Sequence, residues 1–302
     1  MRIVILFIVL CVLGCASTKP GEPTRILDTH IHIYDTARPQ GVPWPGKGDA
    51  VLYKPHLPAD FHKVAAANGV TQAIIVEASE WVEDNQWLLD ITKNDPVIVA
   101  IVGNLLPGDP EFSKQLDRFA ADKRFVGIRP RVPQAVKVTD EAYLTDLAKL
   151  AEKNLSLDML THTATLDDIA AIAGRLPRLR IIVNHLGGPR IDGAEPDAKW
   201  AASARALAKH PNVYCKFSGL SGQSAVKPAP MELAFYKPVL DVLWSAFGED
   251  RMIFASNWPV SEAGGEYAGE LRMTKQYLAG KGAAATEKVF WKNARRAYGL
   301  SP

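Results

Sequence analysis

Apolar and polar positions in this chain follow two alternating patterns. Short runs dense in Val, Ile and Leu recur at 25–33 (RILDTHIHI), 71–77 (TQAIIVE), 97–103 (VIVAIVG), 125–129 (FVGIR), 155–160 (LSLDML), 179–185 (LRIIVNH), 212–217 (NVYCKF) and 251–256 (RMIFAS). Longer stretches with helical spacing lie between and after them, at 58–68, 81–93, 111–121, 140–153, 166–175, 198–208, 231–247, and 266–299 in two pieces. Nearly continuous apolar strands belong to parallel sheets covered on both faces. Their alternation with helices implies βαβ crossovers. Thr165-Leu-Asp-Asp168 has capping-box spacing and marks one helix start. Eight such units predict an α/β chain folded as one (β/α)8 TIM barrel over 25–302. A doubly wound open sheet is the alternative, but the glycine-rich fingerprint expected after its first strand is missing. The Pro/Gly-rich segment 36–56 reads as a long loop after strand 1, able to cover a site.

The N-terminal residues follow a different rule. Met1-Arg2 is positively charged, and Ile3 to Leu13 is an unbroken apolar run of 11 residues. That is too short to cross a hydrocarbon core of ~30 Å, but it fits a secretory signal. Val12-Leu13-Gly14-Cys15 resembles the lipobox of bacterial lipoproteins. It predicts a signal peptide at 1–14, lipidation of Cys15, and a polar tether over 15–24. The expected location is the bacterial cell envelope, exported, lipid-anchored and facing the periplasm. An ordinary secretory signal with an incidental cysteine is the alternative.

Composition narrows the function classes. With 302 residues, 47% hydrophobic and 23% charged, the chain is too apolar to be disordered. A net charge of +2 gives no reason to expect nucleic acid as a partner. Of three cysteines, only Cys215 lies in the body of the chain, which excludes a disulfide framework and a cysteine zinc site. No second long apolar segment follows, so membrane contact is expected only through the N-terminal anchor.

In a barrel of this type, chemistry sits at the C-terminal ends of the strands. Those ends carry Asp28, His30 and His32; Glu77; Arg129 and Arg131; His162; His185; Lys216 and Ser218; and Asn257-Trp258. Polar groups there cost several kcal/mol unless paired, so their convergence points to a site. His30 and His32 are two apart and share a strand face. They suit one divalent metal, zinc for instance, or one oxyanion, and Asp28 is placed to hold a histidine ring. Arg129 and Arg131 share a face and offer forked donors for a carboxylate or oxyanion, unless a salt bridge occupies them. Glu77 and Lys216 fit either a structural ion pair or substrate contact. His162 fits a substrate contact or a loop hydrogen bond. His56, His62 and His210 read as solvated. Trp44, Tyr53 and Trp258 are expected to shape the pocket. Neither G-x-S-x-G, H-E-x-x-H nor a phosphate-binding loop is present.

Together, Asp28-Thr-His-Ile-His32, Val126-Gly-Ile-Arg129, His185-Leu-Gly-Gly-Pro189, Lys216-Phe-Ser-Gly219, Ile253-Phe-Ala-Ser-Asn-Trp-Pro-Val260 and Asn293-Ala294 resemble the amidohydrolase-related family of the amidohydrolase superfamily. The similarity is to its branch of sugar lactonases and 2-pyrone-4,6-dicarboxylate lactonase. It implies a distorted (β/α)8 barrel that hydrolyses a lactone or similar ester, with a metal that is weak or absent. Carried over by position, His30 and His32 match the strand 1 pair, Arg129 a substrate-binding arginine, and His185 a histidine near the substrate carbonyl. The family pattern ends strand 8 with Ser-Asp-Trp-Pro, and that aspartate takes the proton from the attacking water. Here the position is Asn257, and an amide cannot act as a general base. The expectations are therefore a lactonase with its base elsewhere, another reaction on the same scaffold, or a non-catalytic binding protein for a small acid or carbohydrate. The expected catalytic set is His30, His32, Arg129, His185 and Asn257. Arg131, Trp258, Glu77, His162 and Lys216 are expected to contact a small-molecule substrate. Cofactors are expected to be none, or a single divalent metal on His30 and His32.

Overall fold

The computed structural model describes residues 25–132 and 137–301. The expected signal peptide, Cys15 and the whole tether lie outside the described residues. Eight strands pair in chain order, all parallel: β1 (Leu27–Ile31), β2 (Gln72–Val76), β3 (Ile98–Gly103), β4 (Phe125–Ile128), β5 (Ser156–Met159), β6 (Arg180–Val183), β7 (Val213–Phe217) and β8 (Met252–Phe254). The expected barrel is present, with helices between the strands.

Closure between β8 and β1 is made beyond the short β8. Asn257 N–H donates to His30 O at 2.9 Å, and His32 N–H donates to Trp258 O at 2.7 Å. The seam therefore carries Asn257 to the two strand 1 histidines.

Alternate strand residues divide the apolar core into two layers. Leu27, Ile74, Val76, Val102, Ile182 and Ile253 fill the barrel interior, while Ile31, Ile75, Ile101 and Ile181 pack outward against the helices. Leu27 and Ile31 fall in different layers because the β1–β2 register slips between Asp28 and Ile31.

The helices after the first seven strands fall close to the expected bounds, for example Pro58–Asn68 and Leu166–Arg175. The Thr165 capping box is formed, with Asp168 N–H on Thr165 Oγ1 at 3.1 Å and Thr165 N–H on Asp168 Oδ2 at 3.0 Å. The stretch expected as two C-terminal pieces is more broken: helices Tyr267–Ala279 and Ala283–Glu287, a π-helical turn at Lys288–Lys292, and helix Asn293–Tyr298. That last helix inserts Ala294, Ala297 and Tyr298 into the interior layer. Short helices at Leu220–Gln223 and Val260–Gly264 follow β7 and β8. Among the described residues, no helix is long and apolar enough to cross a membrane.

Candidate active site

Two sharp backbone turns aim the side chains after β6 and β8. His185, Leu186, Gly187 and Gly188 all have positive φ, at 49°, 60°, 73° and 66°. A Cβ on Gly188 would lie 2.1 Å from Thr161 Oγ1, so only glycine fits there. Asn257 also has positive φ, 62°. Side-chain-bearing residues in this region cost on the order of 1–3 kcal/mol each and concentrate at functional sites.

These turns and β1 bring three imidazoles together. His30 Nε2 and His32 Nε2 are 3.3 Å apart, and the His30 and His185 ring centroids are 4.6 Å apart. His32 Nδ1–H donates to Val76 O at 2.9 Å, so its Nε2 carries the lone pair. His185 Nδ1 pairs with Ser218 Oγ at 3.0 Å, leaving Nε2 for the cavity this residue lines. Burial holds all three rings neutral, and neighbouring cations add to the effect. His32 is pushed down to about 3 by burial and then Arg129. His30 and His185 also lie well below the ordinary imidazole value, from burial first, then Lys216 and Arg129 respectively. Asn257 lies against His32, and its buried Oδ1 has no hydrogen-bond partner.

Glu77 joins the two arginines. Its Oε1 accepts from Arg129 Nε and its Oε2 from Arg131 Nε, each at 2.8 Å. Arg129 also donates from Nη2 to Glu77 O at 2.5 Å, and its Nη1 lies 3.2 Å from His30 Nε2. Arg129 is buried, whereas the Arg131 side chain is 33% exposed.

A second ion pair lies deeper. Lys216 Nζ donates to Asp158 Oδ2 at 2.6 Å, with both side chains 0% exposed. Tyr298 O–H also reaches Asp158, at 3.0 Å, and Lys216 Nζ sits 3.2 Å from His30 Nδ1. Burial lowers the Lys216 ammonium to about 8 and raises the Asp158 carboxyl.

A cavity of about 970 Å³ opens over this array, lined by His32, Trp44, Arg129, Arg131, His162, His185 and Asn257, with exposed Glu80 also on its wall. Several expected residues are thus present, and others are placed differently. Glu77 and Lys216 do not line the cavity; each is consumed in an ion pair, and Lys216 acts beneath His30. His30 sits behind His32 and Arg129 rather than in the wall. Trp258 is 2% exposed and packs on His56 and Phe61, with its N–H on Glu262, so it does not shape the pocket. His56 is buried between Tyr34 and Trp258, not solvated. Asp28 does not hold a histidine ring. The slip in β1 turns it toward Ser256 N–H, His30 N–H and Tyr267 O–H, at 2.9, 3.1 and 2.9 Å. Tyr53 is absent from the wall, whereas Trp44 lies over His32 at 5.6 Å between rings.

Asp158 and Tyr298 join the site without being candidates from the sequence, and Ser218, a polar residue at the end of strand 7, takes the role of partner to His185. A lone carboxylate inside the apolar run LSLDML was the available signal for Asp158. Tyr298 had none, since its contact is 140 residues away in the chain.

The donor set does not fit a divalent metal. Arg129 Nη1 points a cationic donor at His30 Nε2, which a metal ligand must keep free, and Lys216 faces the other ring nitrogen. Asn257 supplies no carboxylate. Among the described residues, no three His, Cys, Asp or Glu side chains are grouped to hold a metal.

A parallel eight-stranded barrel with histidines at the ends of strands 1 and 6 and cationic donors around one cavity defines a hydrolase of the amidohydrolase type. The amidohydrolase family model matches residues 27–300, and the chain belongs to that family. An L-fucono-1,5-lactonase of Burkholderia ambifaria is 29% identical over 247 residues, covering 80% of this chain and 82% of that protein. Another, from Burkholderia multivorans, is 26% identical over 285 residues, covering 91% and 96%. The crystal structure of an amidohydrolase from Burkholderia multivorans with bound zinc superimposes with a TM-score of 0.81 at 25% identity, covering 92% of this chain and all of that one.

Proposed function

We propose that the protein is a lactonase that opens a sugar 1,5-lactone without a metal and with a base other than residue 257. The carrying observation is the set of neutral, oriented imidazoles beside two guanidinium groups in one open cavity. The two lactonase relatives support the substrate class.

In this reading the lactone carbonyl oxygen is met by the guanidinium of Arg129, with Arg131 beside it. Fixed donors aimed at developing charge in a water-poor site are usually the largest catalytic term. Asn257 Oδ1, buried and unpartnered, accepts a hydrogen bond from one O–H of the attacking water, and the other O–H faces His185. His185 accepts the water proton at Nε2. For that, its Nδ1–H donates to Ser218 Oγ, the orienting role that a base needs. The proton then passes to the ring oxygen that leaves as an alcohol. Trp44 offers an apolar face to the sugar ring.

A second substrate reading has its own observation. One carboxylate, Glu77, balances two guanidinium groups, and Arg131 retains cavity-facing donors beyond its Nε bond. A lactone bearing a carboxylate would complete that balance.

Acid release from sugar 1,5-lactones, aldarolactones and pyrone lactones tests both readings. Turnover that falls by about 10²-fold or more in a folded His185→Ala variant supports the lactonase. Saturable thermal stabilisation by a lactone with no acid release overturns it in favour of a binding protein.

Export and lipid anchoring at Cys15 belong to the same proposal, supported by the sequence of residues 1–15. Palmitate labelling lost in Cys15→Ser is the expected result.

A further inference from the structure

Glu270 is a buried carboxylate that the proposed chemistry does not use. It lies in the helix Tyr267–Ala279, 1% exposed, and carries no ion pair among the described residues. Three donors converge on it instead. Ser221 N–H reaches Oε1 at 2.9 Å, Ser221 Oγ–H reaches Oε1 at 2.8 Å, and Leu220 N–H reaches Oε2 at 3.2 Å.

Those donors open the short helix Leu220–Gln223, whose N-cap is Gly219 and therefore has no side chain to accept from them. The segment has no slack. Leu220 and Ser221 are 0% and 1% exposed, and a Cβ on Gly264 would lie 2.9 Å from Ser221 Oγ. Just before it, Ser218 Oγ holds His185 Nδ1 at 3.0 Å, and a Cβ on Gly219 would lie 3.0 Å from the same nitrogen. Gly219, Gly222 and Gln223 line the cavity.

The same helix reaches the site a second time. Tyr267, one turn before Glu270 and on the same face, donates to Asp28 Oδ2 at 2.9 Å. Asp28 Oδ1 in turn accepts from His30 N–H and Ser256 N–H, at the seam where β8 meets β1.

We infer that the helix Tyr267–Ala279 is a two-point clamp on the active site, with Glu270 the positioning residue that fixes His185 through Ser221, Gly219 and Ser218. A carboxylate suits this place because it accepts from both Leu220 and Ser221 at once. A leucine would leave two buried N–H groups unpaired, and a glutamine can offer only one oxygen. The role of His185 rests on the proposed function, so one readout must be independent of any lactone.

The test compares the wild-type protein with Glu270→Gln by steady-state kinetics on a sugar 1,5-lactone and by NMR of the labelled histidine rings. The clamp predicts that Glu270→Gln moves the His185 ring nitrogen signals. It also predicts that kcat falls on the order of ten- to a hundredfold while KM changes little, since a small misplacement of a reacting group carries that cost. A folded variant of lower thermal stability, with unchanged His185 signals and unchanged kcat, would show a purely structural carboxylate and overturn the inference. If Glu270→Gln does not fold, Ser221→Ala removes one of the three hydrogen bonds and must move the same signals in the same direction; unmoved signals overturn the inference there too. Shifted His185 signals with no lactone turnover even in the wild type would keep the clamp and remove the lactonase reading.

Discussion

Two buried charge clusters share this barrel and differ in how they are balanced. Between β5 and β7, one carboxylate meets one ammonium, Asp158 with Lys216, and Tyr298 seals the pair from below. Between β2 and β4, one carboxylate meets two guanidinium groups, and the cluster opens on the cavity. The closed cluster has nothing left to offer a ligand. Its chemistry is spent on holding His30 from behind. The open cluster keeps spare donors and positive charge, which suits an incoming carbonyl or carboxylate. Burial alone therefore does not mark a working charge; an unfinished balance does.

The difference can be broken at the closed cluster first. Asp158→Ala leaves a buried ammonium without its partner and should lower stability by about 3–5 kcal/mol in chemical denaturation. The pair replacement Asp158→Leu with Lys216→Met should recover most of that loss, since an apolar pair of similar volume avoids the desolvation cost. No recovery would mean that the ion pair is needed for folding in itself.

At the open cluster the effect should appear in rate. Arg129→Ala should lower kcat by about 10²–10³-fold with the barrel intact by circular dichroism, because Glu77 keeps Arg131. Arg131→Gln should act more weakly, raising KM by about tenfold through loss of a charged donor. A loss in kcat instead would move Arg131 into the reacting centre.

The pH profile sharpens the same contrast. Burial and Arg129 hold His185 well below the ordinary imidazole range, so it stays neutral and able to take a proton from neutral pH into acid. Activity should be retained as pH falls through about 6.5 and be lost only further down, where the ring protonates. An acid limb at about 6.5 would point to a solvated histidine as the base. The smallest expected effect is that of a chelator, which should leave kcat unchanged.

Much of this was legible in the sequence, for physical reasons that also explain what was missed. Apolar strand runs and helical spacing expose the barrel because every strand is covered on both faces. Strand ends expose His32, Arg129, Arg131, His185 and Asn257, which do meet in one cavity. Asp28 departs from its expected place because a one-residue slip in β1 redirects it, and register slips leave no mark in composition. Trp258 and His56 depart from expectation because they bury against each other across 202 residues of chain. Glu77 and Lys216 were legible as charges, but not which of them faces a ligand. The helices Leu220–Gln223 and Val260–Gly264 are too short to carry a period.

The site works with asparagine at position 257. The most direct measurement is acid release from a sugar 1,5-lactone by the wild-type protein beside Asn257→Asp at matched concentration. The wild-type protein is expected to turn over, and the aspartate variant to be no faster. A silent wild type with an active Asn257→Asp would contradict this, placing the missing base at residue 257 after all.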